Sequence, residues 1–100
     1  MRNQDYSILI RELKAGKESA FDSLFRLFYQ DLCRFACSFL NDPMMAEDVV
    51  QGIFEKIWTR KKFIDESQQL DHYLYVSVRN ACYTFLKNKK EHVKLDEVDS

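Results

Sequence analysis

From Phe21 to Leu40 apolar side chains recur every three or four residues: Phe21, Leu24, Phe25, Phe28, Tyr29, Leu32, Phe35, Ala36, Phe39 and Leu40. This period is that of one helix face held for about five turns, and it predicts a long helix beginning near Glu18 or Ser19. Its aromatic content reads as core material. Before it, Ile8, Leu9 and Leu13 give a short apolar stripe. A first helix is expected from about Tyr6 to Ala15, with Asp5 as N-cap and Gly16 as the stop. "NDP" at Asn41–Pro43 is the clearest punctuation in the chain. Asn suits a left-handed C-terminal position, Asp an N-cap and Pro the first helical position.

The third helix is therefore expected from Pro43 to about Arg60. In "AEDVVQGIFEKIW", Ala46, Val49, Val50, Ile53, Phe54, Ile57 and Trp58 form the apolar face. Asp48, Gln51 and Glu55 recur on the other side, one turn apart. The segment "KKFIDESQQ" breaks the period and reads as a loop, long for a helical bundle and so a candidate for function. A fourth helix is expected from about Leu70 to Lys89, with Leu70, Leu74, Ser77, Val78, Ala81 and Phe85 inward. "EHVKLDEVDS" then loses the pattern, turns acidic and reads as the start of a linker.

Composition narrows the fold. Two Gly and one Pro are too few for a chain of tight hairpins, and 46% hydrophobic residues argue against a disordered tail. One hundred residues support a single core. The expectation is an all-α domain, a compact bundle of about four helices. Phe25, Phe28, Leu32, Phe54, Trp58 and Leu74 are expected to form one cluster joining its second, third and fourth helices.

The net charge of −1 hides an uneven distribution. Between Lys56 and Lys90 stand eight Lys/Arg against three Asp/Glu, a local charge of +5 that leaves −6 elsewhere. A basic surface of this kind suits an anionic partner, and nucleic acid fits better than membrane because no amphipathic anchor segment is present. The odd cysteine count, with no signal peptide and no apolar run of membrane-spanning length, predicts a reduced cytoplasmic protein. Cys33, Cys37 and Cys82 lie in or beside apolar stripes without CxxC or HxxxH spacing, so they read as structural thiols, and no metal or other cofactor is expected.

Catalysis finds little support. No Gly-rich phosphate loop, nucleophile elbow or HExxH is present, and the two His are isolated. No small-molecule substrate is expected. The fourth helix is more informative: "LDHYLYVSVRNACYTFLKNKK" interleaves Tyr73, Tyr75, Tyr83 and Phe85 with Arg79, Asn80, Lys87, Lys89 and Lys90. Single-stranded nucleic acid is held by cations along its backbone and by aromatic or amide groups on unstacked bases.

These residues resemble a family. "AFDSLFRLFYQDLCRFACSFLNDPMMAEDVVQGIFEKIW" followed by "LDHYLYVSVRNACYTFLKNKK" is similar to region 2, the promoter-melting domain, of extracytoplasmic-function sigma factors. Gly16, the "AF" at Ala20 and Phe21, "AEDVVQ", the Trp58 end, "YLYVSVRN" and the basic helix end stand in the family's order and spacing, from about Leu9 to Lys90. The aromatic-rich style is similar to the iron-uptake-type branch. The resemblance implies a helical bundle, a cytoplasmic role in transcription initiation, and no enzymatic activity.

It also implies partners. The third helix would dock on the β′ clamp helices of core RNA polymerase through Asp48 and Gln51, with Glu55 beside them. The fourth helix and the Lys61–Gln69 loop would hold the non-template strand of the minus-ten promoter element, with a base flipped into a pocket of the loop. The DNA-binding set would then be Lys61, Lys62, Tyr75, Arg79, Asn80, Tyr83, Lys87, Lys89 and Lys90. Arg79 and Asn80 match the family's "RN" but point about 100° apart on a helix. Asn80 is expected to face a base-reading groove beside the loop, and Arg79 to contact phosphate or brace the loop.

An anti-sigma factor, often membrane-anchored in the family, is a further expected partner. Residues 1–90 would be the region 2 domain and 91–100 the start of an interdomain linker. Nothing here matches the family's second DNA-binding domain, so the chain reads as a fragment. Three departures stand out: Gly52 where an acidic residue is frequent, Tyr73 where Trp is usual, and Thr84 where Asp is common. The rival reading is a helical protein-binding module, an adaptor or sigma mimic, that does not bind DNA.

Overall fold

The computed structural model describes residues 6–65 and 69–99, with side chains through Lys90. Its order is α1 (Ser7–Lys14), α2 (Glu18–Leu40), α3 (Pro43–Thr59), a single 3₁₀ turn (Lys61–Phe63) and α4 (Leu70–Asp99). Among the described residues there is no strand. Helix boundaries follow local chemistry. Gly16 sits at φ +84°, which stops α1. Asn41 takes the left-handed conformation at φ 54° and closes α2. Asp42 then caps α3, its carboxylate accepting hydrogen bonds from the backbone N–H of Met44 and Met45 at 3.1 and 3.2 Å. Pro43 takes the first turn, where its missing N–H is no loss. Asp5, the expected cap of α1, lies outside the described residues, as do residues 66–68 of the expected loop.

Helix α2 is the hub, packed against α1, α3 and α4. Its central line is Ala20, Leu24, Phe28, Leu32 and Ala36, all buried. Against it lie Ala46, Val50, Ile53, Phe54 and Ile57 of α3, and Leu70, Leu74, Val78 and Cys82 of α4. Ile10, Leu13 and Ile64 close the end near α1 and the 3₁₀ turn. No polar or charged side chain among the described residues is buried, so packing alone specifies this core.

Three expectations need correction. Phe25 is not core: it is 37% exposed and stacks on Tyr29 with centroids 4.3 Å apart. The apolar stripe of α2 is wider than its buried face, and a residue about 100° off the central line falls at the edge. Trp58 and Val49 pack against the core as expected but, for the same reason, are only half-buried at its margin. In α1, Ile8 points to solvent while Ile10 joins Leu13 in the core; three successive apolar residues cannot share one helix face.

Finally, α4 runs on to Asp99, ten residues past Lys89. An apolar period marks where a helix packs, whereas its hydrogen-bond ladder continues until a breaker intervenes. No Gly or Pro follows Gly52.

The thiols differ among themselves. Cys82 is fully buried, with its Sγ 3.9 Å from the Ala36 carbonyl, and burial pushes its thiol above the ordinary pKa. Cys33 and Cys37 are only half-buried, on the groove side of α2.

Candidate protein and nucleic-acid interfaces

The polar side of α3 is a ridge. Asp48, Gln51 and Glu55 are all exposed, as the sequence pattern requires once Val50, Ile53, Phe54 and Ile57 turn inward. Their roles already differ. Asp48 and Glu55 make no ion pair among the described residues, whereas Gln51 leans toward α2 and its Nε2 donates to the Tyr29 hydroxyl at 3.3 Å. That hydrogen bond pulls the Tyr29 pKa down, but burial, Cys33 and Glu47 outweigh it and the net shift is upward. Gly52 lies within the ridge, and a Cβ built there would meet nothing within 4 Å. No steric demand explains the glycine.

Next to Gln51, the Phe25–Tyr29 stack forms an aromatic edge, and Phe54 supports both rings from below at 5.1 and 6.2 Å. An open groove of about 560 Å³ continues from it between α2 and α3, past Cys33, Cys37 and Glu47. The helical period hid this edge, because a stripe of aromatics gives no hint of which ring sits at the rim.

Helix α4 divides its candidate residues between two flanks. Tyr75 packs edge-on against Phe35 at 4.9 Å, and Tyr83 against Phe39 at 5.4 Å, both on the α2 side. Arg79 stands between them in sequence, four residues from each, and is exposed. Asn80 lies on the opposite flank, facing α3. There it lines a groove of about 290 Å³ with Tyr73, Ser77, Ala81 and Thr84 and with Ile53 and Lys56 of α3.

The expected placement of Asn80 beside the loop rests in part on residues 66–68, which lie outside the described residues. No described loop residue lines this groove, and Asn80 is ten residues along α4 from Leu70, about 15 Å at helical rise. The groove lies between α4 and α3. Lys56, absent from the expected DNA-binding set, is its cation.

The remaining cations are also split. Lys87 and Lys90 are exposed at the far part of α4, and Lys89 reaches back into a cleft with Asp42, Met45, Phe85 and Asn88. Lys61 is partly engaged within the fold: its ammonium lies 4.0 Å from the Trp58 ring centroid and donates to the Trp58 carbonyl at 3.1 Å. It staples the end of α3. Lys62 is exposed, and Phe63 beside it is 86% exposed. No pattern in the chain marks Phe63, since "KKFI" offers two apolar residues and only the turn geometry decides that Ile64 faces in.

Both faces fall within the span that known proteins share. The Sigma-70 region 2 family matches residues 24–92, from the first part of α2 into α4. The chain belongs to this family. It is 27% identical over 77 residues to the RNA polymerase sigma factor SigZ of Bacillus subtilis strain 168, a match covering 77% of this chain and 44% of that protein. The chain thus spans less than half the length of this relative. No solved structure matches it significantly. Among the described residues no helix is long and apolar enough to cross a membrane, and no group of three or more His, Cys, Asp or Glu is placed to hold a metal ion.

Proposed function

We propose that this domain docks on core RNA polymerase through the α3 ridge and, from that position, binds and helps to open the minus-ten promoter element through α4 and the connection before it. One observation carries the reading. The fold leaves Asp48 and Glu55 on one face, and Lys62, Arg79, Lys87 and Lys90 on others, all exposed and none ion-paired among the described residues. Charge that the fold does not consume remains available to partners of opposite sign.

The chemistry follows from the faces. Carboxylates on a rigid helix form charge-assisted hydrogen bonds, bidentate where the partner offers a guanidinium. Gln51, held by Tyr29, presents its remaining amide valences at a fixed place beside them. On α4 the lysines neutralise phosphates without regard to sequence, and Asn80 presents an amide to a base edge. Extruding a base costs a few kcal/mol, which these contacts must offset.

The test is a pulldown of core polymerase by the full-length factor, followed by binding of the complex to single-stranded promoter and scrambled oligonucleotides. A complex that forms and prefers the promoter strand supports the proposal. A complex that forms but ignores DNA identifies a protein-binding module instead.

A further inference from the structure

The three free thiols of this chain do not share one environment. Cys82 is fully buried, its Sγ 3.9 Å from the Ala36 carbonyl, and it packs as a small apolar side chain. Cys33 and Cys37 are half-buried, and both line the open groove of about 560 Å³ between α2 and α3. The reading of all three as structural thiols therefore fits the first and leaves the other two without a packing role.

Helix α2 sets the spacing of the pair. Residues four apart lie one turn from each other on the same face, with Cβ atoms about 5–6 Å apart. A disulfide needs Cβ atoms at about 3.5–4.5 Å. The intact helix thus holds the two sulfurs too far apart to join directly, yet close enough to grip one atom between them. Cys33 is also held in place. The Tyr29 hydroxyl accepts from Gln51 Nε2 at 3.3 Å on one side and donates to the Cys33 sulfur on the other. Glu47 of α3 adds a carboxylate to the groove, and Arg34 of α2 a guanidinium.

We propose that Cys33 and Cys37 form a two-thiolate site for a soft monovalent metal ion of the Cu(I) class. Thiolate sulfur selects soft ions, whereas carboxylate oxygen suits hard ones. A structural Zn²⁺ takes four ligands in a tetrahedron. Among the described residues no group of three or more His, Cys, Asp or Glu comes together to supply them. Two sulfurs on one helix face instead match an ion that is satisfied by two ligands in line. Binding is an exchange: two S–H groups give their protons to water, two S–Cu bonds form, and the ion keeps its oxidation state. The product carries one net negative charge. Arg34, paired only across 3.7 Å with exposed Asp31, stands on the groove wall to balance it.

The experiment uses the reduced full-length factor under nitrogen, with Cu(I) supplied from a competing colorimetric chelator. The parent should take up one Cu(I) more than a Cys33→Ser, Cys37→Ser double variant, whatever other ligands the full chain holds. Either single variant should lose more than the roughly 10- to 100-fold in affinity that removal of a ligand's hydrogen-bonding partner costs, because a ligand itself is gone. Cys82→Ala should bind as the parent does. X-ray absorption of the added ion should show two sulfur neighbours. Zn²⁺, titrated against a Zn²⁺ indicator, should not distinguish the parent from the double variant.

Circular dichroism checks that the variants keep their helices, and one measurement needs no variant. In the parent, Cu(I) should block alkylation of Cys33 and Cys37 by iodoacetamide, read by peptide mass, while Cys82 stays unreactive with or without the ion. Equal Cu(I) uptake by the parent and the double variant, or alkylation of the pair unchanged by Cu(I), overturns the site. Tighter Zn²⁺ binding by the parent than by the double variant overturns its assignment to a soft, two-coordinate ion.

Discussion

Helices α3 and α4 pose the same problem and resolve it differently. Each lays an apolar stripe on α2 and turns polar residues outward. On α3 those residues stay together, because Asp48, Gln51 and Glu55 follow one ridge. On α4 they part, because the helix is wedged between α2 and α3 and has two flanks at their borders. Arg79 goes with the tyrosines on the α2 side and Asn80 with the groove on the α3 side. Adjacent residues in a sequence signature can therefore serve separate surfaces. An exposed polar surface is legible in sequence where one ridge carries it, and less so where neighbouring elements complete it.

The largest expected effect tests the shared foundation of both helices. Leu74 is fully buried where α4 meets the core. Leu74→Ala should destabilise by about 2–5 kcal/mol, a large part of the roughly 5–15 kcal/mol typical of a domain. Trp58→Ala should fall at or below the lower end of that range, because the ring is only half-buried against Phe21 at 5.2 Å. Urea denaturation of the two variants ranks them. A Trp58 variant weaker than the Leu74 variant would mean that α3 depends on its C-terminal staple more than on the shared core.

Next comes docking. Asp48→Lys puts a cation where the ridge offers a carboxylate, and like-charge juxtaposition across an interface costs several kcal/mol. Polymerase affinity in a competition assay should fall on the order of a hundredfold, while fold stability changes by less than about 0.5 kcal/mol, as for other exposed sites. The same reversal at Arg79, Arg79→Glu, should leave polymerase affinity intact. If both reversals weaken docking alike, the division of labour between the helices fails.

A smaller effect separates the flanks of α4. Asn80→Ala should remove discrimination between promoter and scrambled strands, worth about 1–3 kcal/mol per base read, with an unchanged salt slope. Arg79→Ala should weaken all sequences alike and reduce that slope by about one counterion or less. Both are measured in reconstituted holoenzyme across a salt series. Retained preference in Asn80→Ala would move base reading elsewhere, to the connection.

The helices, the Asn41–Pro43 junction and the α3 ridge were legible because each rests on local chemistry: a period, a cap, a left-handed residue. What was not legible depends on tertiary placement. Phe25 and Phe28 look alike in the stripe, yet only packing decides that one is rim and the other core. The Asn80 groove needs Ile53 and Lys56 from another helix. Lys61 reads as a free cation until Trp58 is found beneath it. The end of α4 is hidden for a different reason: a helix can lose its apolar face without losing its hydrogen-bond ladder.

The smallest effect bears on the one feature of the α3 ridge that lacks a structural reason. A helix-interior Gly is about 0.8–1 kcal/mol less favourable than Ala, and at Gly52 a Cβ meets open space. Gly52→Ala should therefore stabilise the domain by nearly that amount, raising the melting temperature by about 4–8 °C per kcal/mol for a domain of this size. Polymerase affinity then distinguishes two causes. If it is unchanged, the glycine is a tolerated weakness in a ridge whose contacts are Asp48, Gln51 and Glu55 alone. If affinity falls while stability rises, the missing Cβ lets the partner's backbone or a bulky side chain approach α3 closely. The ridge then owes part of its binding to an absence that charge patterning cannot reveal. The described part of α4 has no glycine, so close approach of this kind is open to α3 and closed to α4. Ser77→Ala in the Asn80 groove provides the control, in which neither quantity should move by more than about 0.5 kcal/mol.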